Sequence, residues 1–94
     1  MKFIESYTTS IAFSSTDQNK DIDMNSVIDV LIENRTAGTV FIENYPLLTN
    51  TFLRESANSG EILSGSKPID FNGQTGQVVV TIRRPTGKII EILP

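Results

Sequence analysis

The sequence predicts an all-β domain: a small antiparallel β-sandwich, or a Greek-key or jelly-roll-like arrangement, of about six to eight strands. Three observations carry that expectation. Ile, Val and Thr number 28 against 9 for Ala and Leu, and side chains branched at Cβ suit a pleated, half-buried surface better than a helix. Apolar residues recur with period two in several separate stretches. Between them stand short clusters of Gly, Pro, Asn and Thr, the residues that punctuate strands. The 94 residues are one domain's worth of chain, read here as a single β domain over 1–94.

Residues 1–15 are expected to form a strand or an extended arm. Phe3, Tyr7, Ile11 and Phe13 fall on one side of an extended chain, with hydroxyl residues between them. That face is expected to be buried and to touch another subunit. Residues 16–26 read as a polar linker without a tight-turn signal. Within it, Asp17, Asn19, Asp21, Asp23 and Asn25 place an oxygen at every second position, as the opening of an EF-hand loop does. The position that needs Gly holds Ile22, and the closing acid position holds Ile28. A solvated loop without a metal is therefore expected.

From Val27 to Glu33 the alternation sets Ile28, Val30 and Ile32 against Asp29, Leu31 and Glu33. Arg35-Thr36-Ala37-Gly38 reads as a hairpin loop with Gly38 at positive φ. The return strand runs through Thr39–Tyr45, with Val40, Ile42 and Asn44 on one face. Thr49 to Leu63 is ambiguous: a short helical turn near 50–57, capped by Thr49 or Asn50, or a strand through Thr51–Arg54. Pro68–Phe71 is a short strand, and Asn72–Gly76 is a turn into the strong alternation of Val78, Val80 and Ile82. Arg84-Pro85-Thr86-Gly87-Lys88 reads as a last hairpin turn with Gly87 at positive φ, followed by a strand through Ile90 and Ile92.

The composition excludes several chemistries. There is no Cys, His or Trp, so thiol catalysis, disulfides, Cys/His zinc sites and His-based triads are out. No Ser has a base partner, and no Gly-rich phosphate loop precedes a Lys. We expect no catalytic residues, no cofactor, no metal and no enzymatic activity. The net charge is −3, so no nucleic-acid partner is expected. Apolar runs reach only three residues, as at Val78-Val79-Val80, so no membrane insertion is expected. Glu5 interrupts the first apolar residues, which implies synthesis in the cytoplasm without a signal peptide. The sequon Asn34-Arg35-Thr36 is accordingly expected to carry no glycan.

Charge is unevenly distributed. Residues 1–47 hold three basic and seven acidic groups, and residues 48–94 hold five basic and four acidic, giving −4 and +1. Arg83, Arg84 and Lys88 cluster across the last turn and are candidates for meeting phosphate or a partner's carboxylates. Together with Phe3, Tyr7, Ile11 and Phe13 they form the expected interface. Strands apolar on both faces, with nothing to carry catalysis, point to a non-enzymatic homo-oligomer in a larger assembly. The alternative is a monomeric binding module for a carbohydrate or peptide, its site lined by Tyr7, Tyr45 and Phe side chains.

One stretch resembles a known pattern. Val30-Leu31-Ile32-Glu33-Asn34-Arg35-Thr36-Ala37-Gly38-Thr39-Val40-Phe41-Ile42 is similar to a motif of small β-rich accessory virion proteins of bacteriophage: a strand ending in Asn, a short turn and a Val-x-Ile return. Leu47, Leu48, the segment Gly60–Gly65, Pro68–Phe71 and Gly76–Ile82 continue the similarity over about residues 27–94. The Pro-Gly that precedes the polar connection in that pattern is absent. The resemblance implies a capsid, head-fibre or tail accessory component, located in the virion and bound to other structural proteins, with no catalytic residues to transfer.

Overall fold

The computed structural model describes residues 2–58 and 60–91, with side chains for 4–58 and 60–89. It contains eight strands and, among the described residues, no helix: β1 (Lys2–Ser14), β2 (Asp21–Asp23), β3 (Asp29–Thr36), β4 (Val40–Ile42), β5 (Tyr45–Leu47), β6 (Phe52–Ser56), β7 (Ser66–Asp70) and β8 (Gly76–Glu91). They form two antiparallel sheets, ordered β1-β8-β3-β6 and β2-β7-β4-β5. The pairing is nested. β1 meets β8, β2 meets β7, β3 meets β6 and β4 meets β5, so the chain is one long hairpin rolled until β8 also pairs with β3 and β7 with β4. This is jelly-roll topology.

Alternation explains which side chains lie between the sheets. Val30 and Ile32 of β3 and Val78, Val80 and Ile82 of β8 face inward from the first sheet, joined by Phe13 of β1. Ile22, Val40, Ile42, Leu47 and Ile69 face them from the second sheet. Full burial of each stabilises the fold by about 1.5–3 kcal/mol. At the tip of the rolled hairpin, Glu43 and Asn44 both have positive φ, 49° and 66°. They make the two-residue primed turn whose twist matches the flanking strands.

Several sequence expectations are corrected here. The segment 50–57 holds no helical turn. Thr51 instead closes a turn by bonding back to Leu48 O at 3.2 Å, and β6 then alternates, with Leu53 and Glu55 half-buried and its other residues exposed. Residues 16–26 are more than a linker. They contain β2, and Ile22 and Met24 are core side chains. The alternating oxygens mark the opposite side of that extended segment. Asp17, Asn19, Asp23 and Asn25 each accept a backbone N–H, from Ser14, Asp21, Asn25 and Gly65 respectively.

Two expected hairpins are crossings between sheets. Arg35–Gly38 leaves β3 in one sheet and enters β4 in the other, and Asn72–Gly76 carries β7 into β8. Gly38 does not have positive φ; its lack of a side chain matters because a Cβ there would lie 2.7 Å from the Gln74 amide. Asn34 holds the first crossing together. It is 1% exposed, its Nδ2 donates to Gly38 O and Leu47 O at 2.8 Å each, and its Oδ1 accepts from Thr36 N at 2.9 Å and Thr36 Oγ1 at 2.7 Å. One amide thereby binds the end of β3 to both strands of the tip.

The third expected hairpin is also absent. β8 continues unbroken through Arg84–Lys88, where Ile4 pairs with Ile89 but Ser6 pairs with Pro85. Glu5 therefore opposes Thr86, Gly87 and Lys88, a bulge in one long strand. Gly87 does have positive φ, 90°, and it serves the bulge rather than a turn.

Candidate assembly surface

β3 pairs with β8 only from Gly76 to Arg83. Beyond Arg83, β8 is paired with β1 alone, so Lys2–Tyr7 and Arg84–Glu91 form a two-stranded ribbon that leaves the body. Six residues at about 3.3 Å each extend it by about 20 Å. The dimensions agree. The molecule measures 53 × 23 × 19 Å with a radius of gyration of 15.2 Å, against about 12 Å for a compact chain of this length. On the ribbon, Ile4 and Ile89 are cross-strand partners, and they are 57% and 68% exposed.

The expected interface residues separate into different roles. Phe13 is a core side chain. Tyr7 and Ile11 fall on the same inward face by alternation but remain 46% and 44% exposed, because the strand across from them, β2, is only three residues long. Of the face expected to be buried, the chain itself covers Phe13 and leaves Tyr7 and Ile11 half-exposed. Phe3 pairs through its backbone with Ile90; its side chain lies outside the described residues.

Of the basic residues, Arg84 is already engaged within the chain. Its guanidinium donates to Asp23 O at 2.6 Å and Asn25 O at 3.3 Å, with the Asp23 carboxylate at 3.9 Å. It clamps the base of the ribbon to the segment after β2. Arg83 and Lys88 are exposed. Arg83 lies opposite Asp29 in the β3–β8 register.

The outer face of the first sheet carries a polar network. Asp29 accepts from Arg54 Nη2 at 2.8 Å, Arg54 Nε at 3.3 Å and Ser56 Oγ at 2.8 Å. The Arg54 hydrogen bonds hold the Asp29 carboxyl below its usual range; partial burial opposes this, while Ser56 and the charges of Arg54 and Arg83 reinforce it. On the other face of the same edge strand Lys67 bridges the sheets, with Nζ 2.9 Å from Glu43 and 2.8 Å from Glu55. Burial disfavours the Lys67 charge, but the two carboxylates outweigh it and raise its pKa.

Phe52 is the most exposed aromatic ring with a described environment, at 67%. It lies between two shallow hollows of about 350 and 330 Å³, shared with Glu33, Arg35 and Arg54 among others. Among the described residues, no three His, Cys, Asp or Glu side chains gather as a metal site. No helix there is long and apolar enough to cross a membrane. Sequence reasoning missed the ribbon because the bulge at Gly87 looks locally like a turn. No family model matches the chain, no curated protein is detectably similar to it, and no solved structure matches it.

Proposed function

We propose that this protein is a non-enzymatic structural component that self-associates and docks on a larger assembly, in the manner of a virion accessory protein. The observation that carries this reading is the β1–β8 ribbon. A two-stranded sheet standing alone in water is marginally stable and gains from a third strand or a packed face. Here the ribbon presents the Ile4–Ile89 pair to solvent, the kind of apolar patch that contact with another chain would cover. Docking through Ile4 and Ile89 supplies that cover. The test is light scattering of the full chain at about 10–100 µM beside the double variant Ile4→Lys, Ile89→Lys. A wild-type multimer that loses mass in the variant, with the β circular dichroism signal unchanged, is the expected result. A wild-type monomer throughout that range overturns the reading.

The exposed Phe52 with its neighbouring Glu33, Arg35 and Arg54 favours a second reading, a monomeric module binding a carbohydrate or peptide on the outer face. A monomer whose Phe52 ring resonances shift when oligosaccharide or peptide is added would favour it.

A further inference from the structure

The four sheet edges are not alike. β2 ends one sheet with Asp21 and Asp23 and is three residues long; β5 ends the other side of that sheet with Pro46, which has no N–H to offer. β6 is five residues long and carries Arg54 and Glu55. Short strands, charges and proline are the usual guards against edge pairing. β1 has none of them over most of its 13 residues. From Ser6 to Thr16 the chain contains no charge, no Pro and no Gly.

Hydrogen bonding shows which groups this edge leaves open. Arg83 O accepts from Ile28 N at 2.8 Å, so Arg83 turns its backbone groups towards β3 and its neighbours Ile82 and Arg84 turn theirs towards β1. Their partners Thr9 and Tyr7 are thus bonded inward, and Thr8, Ser10 and Ala12 point N–H and C=O outward. Ser14 fits this alternation and closes the stretch. Asp17 takes its outward groups, the side chain accepting from Ser14 N at 2.7 Å and the amide donating to Ser14 O at 3.0 Å. The bulge at Glu5 closes the other end. The open groups therefore run from Ser6 to Ala12, with Thr9 at the midpoint.

We propose that a second copy of this chain pairs with that edge, β1 antiparallel to β1, about a twofold axis at Thr9. This deepens the self-association reading above and rests on it. In that register Ser6 bonds with Ala12 of the second copy and Thr8 with its Ser10, so every open group finds one partner and each pair occurs twice. Tyr7 stands directly opposite Ile11 of the second copy in a position where cross-strand side chains come closest. The two half-exposed apolar side chains cover each other on both sides of the axis. A register one residue further on would need Ser14, whose groups are taken. No like charges meet, and the two ribbons point in opposite directions, each free to dock elsewhere.

The absence of native cysteine gives a direct test. At Thr9 the two copies present a pair without mutual hydrogen bonds, with Cα atoms about 4.5 Å apart, within the 4.4–6.8 Å that a disulfide spans. Thr9→Cys under mild oxidation is expected to run mostly as a covalent dimer on a non-reducing gel, at least about tenfold faster than Thr16→Cys. Thr9→Lys, which opposes two like charges on the axis, is expected to reduce the mass in light scattering with circular dichroism unchanged. A wild-type multimer in which Thr9→Cys links no faster than Thr16→Cys overturns the β1–β1 pairing and leaves self-association standing. Linkage through Ser10→Cys instead of Thr9→Cys overturns the twofold at Thr9. A wild-type monomer that gives no cross-link overturns both this pairing and the self-association reading.

Discussion

Replacing Asn34 with Ala should unravel the crossing between the sheets. Its amide group satisfies Leu47 O and Gly38 O, and its oxygen satisfies Thr36 N and the Thr36 hydroxyl. In Asn34→Ala the Thr36 hydroxyl can still donate to Gly38 O, from which it is 2.9 Å. Thr36 N is left buried without a partner, and Leu47 O, still paired with Val40 across the tip, loses its second donor. An orphaned buried group costs about 1–3 kcal/mol and a lost hydrogen bond about 0.5–1.5 kcal/mol, so the expected loss is about 1.5–4.5 kcal/mol. A domain of this length has roughly 5–14 kcal/mol in total. At about 4–8 °C per kcal/mol, Tm should fall by at least about 6 °C. Urea denaturation with a constant m-value is the assay. Asn34→Asp keeps the shape but aims an oxygen at two carbonyls, so at neutral pH it should cost at least as much. Its carboxyl has a raised folded pKa; the deficit is present above the unfolded value near 4 and shrinks below it, where the protonated group donates again. A loss under about 1 kcal/mol in Asn34→Ala would refute the account of the crossing.

The folded pKa of Asp29 is lowered from 3.8, so its contribution is complete above that value and is lost as pH falls through the folded value; Asp29→Asn should flatten the acid limb of a stability–pH curve, and an unchanged limb would refute this. Gly87→Val is strained at φ 90° by about 1 kcal/mol or more, and because the ribbon can fray alone, hydrogen exchange should rise in 2–7 and 84–91 while the body keeps its protection. Gly38→Ala needs only the flexible end of Gln74 to move, and a loss above about 1 kcal/mol would contradict that. Arg84→Met removes the clamp on Asp23 and Asn25 and should cost about 1.5–3 kcal/mol in denaturant melts. Millimolar Ca²⁺ should raise Tm by no more than a few degrees, since the oxygens of Asp17, Asn19, Asp23 and Asn25 already accept backbone N–H groups.

The class of the fold was legible in composition, and β3 and the first half of β8 were legible in their alternation, because both depend on short-range physics. Partnership was not. Arg35–Gly38 and Asn72–Gly76 do bend the chain, but a bend does not say whether the strands it joins share a sheet. Thr39–Tyr45 looked like one strand because Glu43-Asn44 lacks the Gly of the common tight turn, although both residues adopt its dihedrals. β2 was hidden among acids, its signal reduced to Ile22 and Met24. Arg84 looked like a free cation because the carbonyls it holds lie about 60 positions away. At the candidate surface, the apolar residues of β1 were visible in the sequence. Their exposure was not, since it depends on how short the facing strand is.

The nested pairing also implies an order of events. Closing a loop costs more entropy the longer it is, and the Glu43-Asn44 turn closes the shortest loop in the molecule. Once β4 and β5 have met, β3 and β6 are brought near, then β2 and β7, and last β1 and β8. Folding by this route zips from the tip outward. The uncharged β1 segment is placed only when the body already stands, so the sticky part of the chain is matched with β8 before it is offered to anything else. A chain that zipped from its ends would expose the same segment beside an unformed core, where indiscriminate strand pairing leads to aggregation.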